Sequence, residues 1–299
     1  MNARLGIGRV VRAVGGFFYV EPDDGSAVQI ECSVRGRLKV KTITILVGDQ
    51  VAFTTENGQG VITGVVSRET TLKRPYIANV NLIVLVFACK QPDPSAYLIA
   101  KFLVLAEQSG LPFILVFNKA DLITMSDLHQ LLAIYRDCGY RAFDASATTG
   151  RSRETLQREF RGRIAVLAGP SGVGKSALLN MVASGFKMST GAVSPKTGRG
   201  RHTTREVQLL RIDPDSYIAD TPGFTQIALE GIIPAQLSKF FPDFREFLTT
   251  CRFDGCLHQA EPDCGVKKAV DEGRITAERY QAYLSLLAEV TEHWRRRYR

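Results

Sequence analysis

"GPSGVGKS", Gly169 to Ser176, fits the pattern G-x-x-x-x-G-K-[ST] at every position, and its flanks decide how it folds. Before it runs the apolar "RIAVLA" (163–168), with strand character, and after it "ALLNMVA" (177–183), with helical spacing. A strand passing through a glycine-rich turn into a helix is the setting in which this pattern binds phosphate. Gly172 and Gly174 let the backbone curl so that successive N–H groups converge, and the helix N-terminus adds its positive dipole. The expected product is a triphosphate cradle built from Gly169, Pro170, Ser171, Gly172, Val173, Gly174, Lys175, Ser176 and Ala177. Lys175 would neutralise the β and γ phosphates, and the Ser176 hydroxyl would ligate Mg²⁺.

Downstream, "DTPG" (Asp220 to Gly223) follows the strand-like "SYIA", forty-four residues after Ser176. Asp220, at the end of a neighbouring strand, would reach the Mg²⁺ through water, and the Gly223 N–H would sense the γ-phosphate. Between the two lies "SPKTGRGRHTTREV" (194–207), basic, glycine-rich and without hydrophobic periodicity. A mobile loop there suits a nucleotide switch, with Thr204 the expected Mg²⁺ ligand and Thr203 its alternative.

Upstream, "NKAD" (Asn118, Lys119, Ala120, Asp121) follows the apolar "FILVF". Asp121 would accept hydrogen bonds from guanine N1 and N2, a pair adenine cannot supply, while Asn118 and Lys119 brace the loop and cover the base. "FDASATTG" (143–150) adds Ser146 and Ala147, a Ser-Ala pair of the kind that offers a backbone N–H to guanine O6. The base-reading loops thus precede the phosphate-reading loops in the chain, the reverse of the usual order. All of them follow parallel strands, so all gather at one edge of the sheet whatever their order. Joining the ends of such a domain and cutting it elsewhere preserves the pocket. The joint would be "TGRSRETLQREFRGR" (149–163), a helix running into the phosphate-loop strand.

The rest of the chain divides around this core. Residues 1–72 read as a small β-barrel, with short alternating runs such as "RVVRAVGGFFYVEP" and "DQVAFTT" separated by Gly and Asp turns. "LKRPYIANVN" reads as a linker opening a second domain, 73–227, in which "LIVLVFA" and its companions predict a parallel sheet covered by helices on both faces. Residues 228–299 read as helical, with Thr276 an N-cap and Tyr280, Tyr283, Leu284, Leu287, Val290 and Trp294 on one face as core packing. Within them "CRFDGCLHQAEPDC" places Cys251, Cys256, His258 and Cys264 at spacing C-x4-C-x-H-x5-C, a closed shell for one structural Zn²⁺. Cys32, Cys89 and Cys138 stand apart and read as small core residues.

The net charge is +8, and Lys187 to Arg211 concentrates six basic residues against Glu206 alone. Such clusters predict a polyanionic partner such as RNA, against the plainer reading of a solvated surface. No apolar run is long enough for a membrane span and no secretory leader is evident, so a cytoplasmic, monomeric protein with no membrane partner is expected.

With these motifs in this order, between a β-barrel and a Cys/His cluster, the chain resembles the RsgA family, also called YjeQ, over essentially its whole length. The resemblance implies an oligonucleotide-binding barrel, a circularly permuted P-loop GTPase domain and a helical zinc domain. It also implies GTP hydrolysis to GDP in late maturation of the small ribosomal subunit, stimulated by that subunit, with the subunit and its rRNA as partners. Phe224 stands where many GTPases carry a water-orienting glutamine, and an apolar ring cannot do that work. The catalytic candidate is His202, a position the resemblance also implies; the other reading of His202 is an RNA contact. Asn81 stands where the family often has aspartate. Two other classes stay open: a P-loop ATPase or kinase with a chance "NKAD", and an RNA-binding assembly factor that uses nucleotide only as a structural ligand.

Overall fold

The computed structural model describes residues 4–25, 28–34, 44–56, 59–66, 68–73, 76–183, 207–220, 229 and 231–297. They form two compact units that do not follow chain order.

The first unit comprises Met1–Ile83, Arg153–Leu167 and Leu179–Phe224. Its barrel is made of β1 (Arg4–Val14), β2 (Phe17–Pro22), β3 (Ile30–Val34), β4 (Gln50–Glu56) and β5 (Gln59–Val65). The ring runs β1-β2-β3-β5-β4 and closes on β1, with β3 and β5 parallel and the other pairs antiparallel. One long strand closes it by serving two partners: Arg4 to Arg9 pair with β4, and from Gly8 onward β1 pairs with β2. The crossover needs a glycine, because a Cβ on Gly8 would lie 2.5 Å from the Glu21 carbonyl oxygen. Alternate residues point inward, so Val10, Val20, Cys32, Val51, Phe53 and Ile62 form the core. Burial, helped by Glu31, pushes the Cys32 thiol up to about 11, which keeps it a neutral core group.

The same unit holds β11 (Ile164–Ala168), β12 (Gln208–Asp213) and β13 (Ser216–Asp220). β13 pairs parallel with β11 and antiparallel with β12, and β12 meets barrel strand β1 where Gln208 faces Arg12. The Tyr217 hydroxyl donates to the buried Glu21 carboxylate at 3.3 Å, and the Arg9 guanidinium lies 5.6 Å from the Tyr217 ring centre. Asn81 answers for its departure from the family pattern. Its Oδ1 accepts from the Ile164 N–H at 2.9 Å, and its own N–H donates to the Ile164 carbonyl at 3.1 Å. The expected linker around Pro75 is instead flanked by a hairpin, β6 (Thr71–Lys73) with β7 (Tyr76–Ala78). Asn79, in the left-handed region at φ 59°, staples it by accepting from Glu69 N–H and donating to the Gly48 carbonyl.

The second unit comprises Val84–Ser152, Ala168–Leu178 and Thr225–Arg299. The wholly buried β8 (Leu82–Ala88) runs into it beside β9 (Phe113–Asn118), and β10 (Ala142–Asp144) pairs parallel with β9. Such unbroken apolar strands need cover on both faces. Part of that cover is a helix at Ala96–Ser109, capped by the Ser95 hydroxyl and ended by left-handed Gly110, and another at Met125–Arg136, capped by Thr124.

The C-terminal helix, Ala277–Arg297, starts at the Thr276 cap as expected. Tyr283, Leu287 and Val290 are buried, Tyr280 and Leu284 partly so, but Trp294 is 42% exposed and lies off the core. The helix is held to Ala96–Ser109 by Glu289, which takes Lys101 Nζ at 2.6 Å and the Tyr97 hydroxyl. Arg279, on its opposite end, forks onto Asp243 at 2.8 and 3.2 Å, with both side chains almost wholly buried. Among the described residues, no helix is long and apolar enough to cross a membrane.

Candidate functional site

The base-reading and phosphate-reading loops meet inside the second unit. Asn118, 1% exposed at the end of β9, is the hinge pin between them. Its Nδ2 donates to the carbonyls of Val173 at 2.9 Å and Gly174 at 3.4 Å, while its Oδ1 accepts from the Ala147 N–H at 3.2 Å. One amide side chain therefore ties together three segments more than twenty residues apart in the chain. An amide suits the place because it alone offers donors and an acceptor on one short stem.

Lys119 takes the left-handed conformation, φ 61°, which turns its side chain back over the phosphate loop. Its Nζ donates to the Gly172 carbonyl at 2.7 Å and to the carbonyl of Gln91. Ala120 and Asp121 lie in a 3-10 turn, with the Ala120 N–H on the Ala145 carbonyl at 3.0 Å. Asp121 is exposed; one oxygen accepts the hydroxyl of the fully buried Ser146, whose own oxygen accepts the Thr149 N–H. The carboxylate is held from behind and keeps acceptor capacity toward solvent.

In the phosphate loop Gly169, Gly172 and Gly174 have φ of 147°, 80° and 88°, conformations that favour glycine. Two of them are sterically closed as well. A Cβ on Gly169 would stand 2.0 Å from the Val86 carbonyl oxygen, and one on Gly174 would stand 2.4 Å from Asn118 Nδ2. Ser171 and Ser176 are exposed, whereas Val173 is buried beneath the loop. Lys175 folds back, donating to the carbonyls of Gly169 at 2.8 Å and Pro170 at 2.7 Å, and burial lowers its pKa. Pro170 thus contributes a carbonyl to the cradle, and Ala177 lies in the first turn of the helix Lys175–Val182 behind it.

Asp220 ends β13 opposite Gln208, which places its backbone at a strand end; its side chain lies outside the described residues. His202, Thr203, Thr204 and Gly223 also lie outside them.

The second cluster is in the same unit. Cys251, Cys256, His258 and Cys264 bring four ligand atoms within 4.8 Å of one another. The separations have the size a tetrahedral ion requires. With metal–sulfur bonds of about 2.3 Å and metal–nitrogen bonds of about 2.0–2.1 Å, the tetrahedron's S–S and S–N edges are about 3.8 and 3.5 Å. Cys251 Sγ to Cys264 Sγ is 3.9 Å, and His258 Nδ1 lies 3.5 and 3.3 Å from those two sulfurs. The donor set could hold a zinc ion, with His258 presenting Nδ1.

Residues that sequence reading took as packing alone, or passed over, brace this cluster. Glu261 accepts the N–H groups of Leu257, Gln259 and Ala260 at 2.8, 2.9 and 3.1 Å. Tyr280 and Tyr283 donate to the carbonyls of His258 and Leu257 at 2.6 and 2.8 Å. Burial raises the Cys256 thiol to about 12 and lowers His258; a bound dication reverses the first tendency and agrees with the second. The only advance signal for these braces was that they lie near the ligands in the chain or on the helical face read as core.

A family model described as RsgA GTPase matches residues 65–230, and one described as RsgA N-terminal domain matches residues 7–62. The chain belongs to the RsgA GTPase family. Over 295 residues it is 43% identical to the small ribosomal subunit biogenesis GTPase RsgA of Caldanaerobacter subterraneus subsp. tengcongensis, covering 98% of each chain. Its fold is similar to the crystal structure of YjeQ from Thermotoga maritima, with TM-score 0.79 and 36% identity over 96% of this chain and 99% of that one. It is also similar to YloQ, described as a circularly permuted GTPase, with TM-score 0.77 and 34% identity over 97% and 96% of the two chains. The inverted loop order is thus that of a circularly permuted GTPase, and the five-stranded barrel is the family's N-terminal domain. Family membership makes the chain a GTP hydrolase, against the ATPase reading.

Proposed function

We propose that this protein binds GTP between its base-reading loops and its phosphate loop and hydrolyses it to GDP and phosphate while engaged with a maturing small ribosomal subunit. The observation that carries the nucleotide site is the Asn118 clamp, which joins the Val173 carbonyl to the Ala147 N–H through one side chain.

Within that site each side chain has one task. Asp121, fixed from behind by Ser146, turns its remaining acceptor capacity to guanine N1 and N2. The Ala147 N–H, which rests on Asn118 Oδ1 at 3.2 Å, is shared with guanine O6 when the base is bound, and Lys119 lays its methylenes along the base while its ammonium stays bonded to Gly172. Lys175 exchanges its two loop carbonyls for phosphate oxygens, whose dense negative charge favours the ammonium that burial disfavours. Ser176 and Thr204 would hold Mg²⁺, which when bound neutralises charge on the β and γ phosphates; Asp220 would reach it through water and the Gly223 N–H would sense the γ-phosphate. His202 orients the attacking water, a role supported by its place in the sequence and by the family pattern. Because it lies on a switch segment, intrinsic hydrolysis is slow and the subunit accelerates it by ordering that segment.

The Cys251, Cys256, His258, Cys264 set holds structural Zn²⁺, supported by its separations and by the absence of a ligand position for water. The chain acts as a cytoplasmic monomer with three functional regions: 1–72 binding RNA, 73–227 turning over GTP and 228–299 carrying the zinc. The deciding experiment is GTP turnover with and without purified small ribosomal subunits, in the presence of excess ATP. A rate raised at least about tenfold by subunits and indifferent to ATP is expected; equal rates refute the proposal.

A further inference from the structure

The permutation joint is more than a splice. Residues 151–163 hold five arginines against two glutamates, and every cation is arginine rather than lysine. The helix Arg153–Phe160 buries Leu156 and Phe160 and leaves Arg153 and Arg158 exposed, with Arg161 exposed in the turn that follows. Among the described residues none of these three forms an ion pair, although Glu154 and Asp213 line the same cleft as Arg158 and Arg161. That cleft, of about 380 Å³, has Val182 and Ile212 as apolar lining.

We infer that this arginine rim is an RNA contact, in which the phosphodiester backbone crosses the cleft mouth and the guanidiniums of Arg158 and Arg161 fork onto its phosphates. Charge complementarity selects the occupant. A guanidinium matches phosphate bidentately, which lysine does not, and the carboxylates of Glu154 and Asp213 keep an anion at the rim instead of drawing it inward. The contact lies outside the nucleotide loops, the barrel and the zinc cluster. Permutation gives it a reason: the helix leads directly into β11 and the phosphate loop, so RNA gripped there is one strand away from Lys175. The inference rests on the subunit-binding function proposed above.

Full-length wild type, Arg158→Gln/Arg161→Gln and Arg158→Lys/Arg161→Lys are titrated with purified small subunits and, separately, with naked small-subunit rRNA across a salt series. The glutamine pair should lose about tenfold in affinity for both targets at moderate salt and flatten the slope of log K against log salt by about one to two. The lysine pair should keep the slope and lose only part of the affinity. GTP turnover by the free variants and their thermal midpoints should match wild type, because both side chains are exposed. Unchanged affinity and slope on both targets overturns the inference. So does a loss on whole subunits alone, which marks a protein partner. If wild type itself ignores subunits, the functional proposal falls, and the naked-RNA arm still decides the arginines.

Discussion

Asn118 and Asp121 stand three residues apart in one loop and do opposite things: the first is buried and joins two other segments, the second is exposed and turns a carboxylate to solvent. Asp121→Asn exchanges an acceptor for a donor facing guanine N1 and N2. GTP affinity should fall roughly 100-fold, about 2.7 kcal/mol, while xanthosine triphosphate, whose C2 oxygen accepts from the new amide, should bind better. Displacement of a fluorescent guanine nucleotide measures both, and an unaltered GTP affinity would remove Asp121 from the base site. Gly174→Ala tests the clamp sterically. Its Cβ has nowhere to go but into Asn118 Nδ2, at a φ of 88° that already disfavours a side chain. Loss of nucleotide binding with a stability cost of about 2 kcal/mol or more is expected in denaturant unfolding.

Among elements, the β12–β13 hairpin matters most, because β13 ends at Asp220 and β12 meets barrel strand β1. The buried contact holding them is Tyr217 on Glu21, and burial first, then Glu21, raises the Tyr217 phenol to about 12, so it stays a donor. Among the described residues, Tyr217→Phe leaves Glu21 the hydrogen bond from Gln29, and it should cost about 1–2 kcal/mol. The same variant should also weaken subunit stimulation of turnover more than intrinsic turnover, because β12 follows the proposed switch segment in the chain and pairs with the barrel. Parallel assays with and without subunits read that difference; equal effects on the two rates would confine Tyr217 to stability. Little of this hairpin was legible beforehand: "SYIAD" announced itself as a strand, but β12 opens with Gln208, carries Arg211 and was not anticipated. Only pairing with β13 and β1 makes it a strand.

At the scale of the whole molecule, the C-terminal module rests on the Cys/His cluster and on the Glu289 and Arg279 anchors. A chelator should strip the proposed Zn²⁺, leave the four side chains without the ion that joins them, lower the thermal midpoint and expose apolar surface to a hydrophobic dye; re-addition of Zn²⁺ should reverse both effects. An unchanged midpoint would contradict a structural metal. Glu289 supplies a pH dependence. Burial acts to raise its pKa, but hydrogen bonds from Lys101 and Tyr97 outweigh it and the net shift is downward. A carboxyl lowered on folding contributes stability that is complete above its unfolded pKa and is lost as pH falls through its folded one. Melting curves from pH 7 to 3 should therefore show Glu289→Gln already destabilised at neutral pH and less sensitive to acid than wild type.

From residues alone one could read the glycine-rich loop, the "NKAD" and "DASA" segments that meet it, the permuted order, the barrel and the Cys/His cluster. Each is a local pattern in which short-range chemistry demands particular side chains at fixed spacing: glycines where φ must be positive, thiols where a tetrahedron must close. Tertiary structure alone decided what links those patterns. That Asn118 holds Val173 and Ala147, that Glu261 and two tyrosines brace the metal loop, and that Trp294 leaves the core all depend on approach between distant segments. A hydrogen bond across fifty residues leaves no periodicity in the chain, because its partners are chosen by where the backbone brings them and not by their neighbours in sequence.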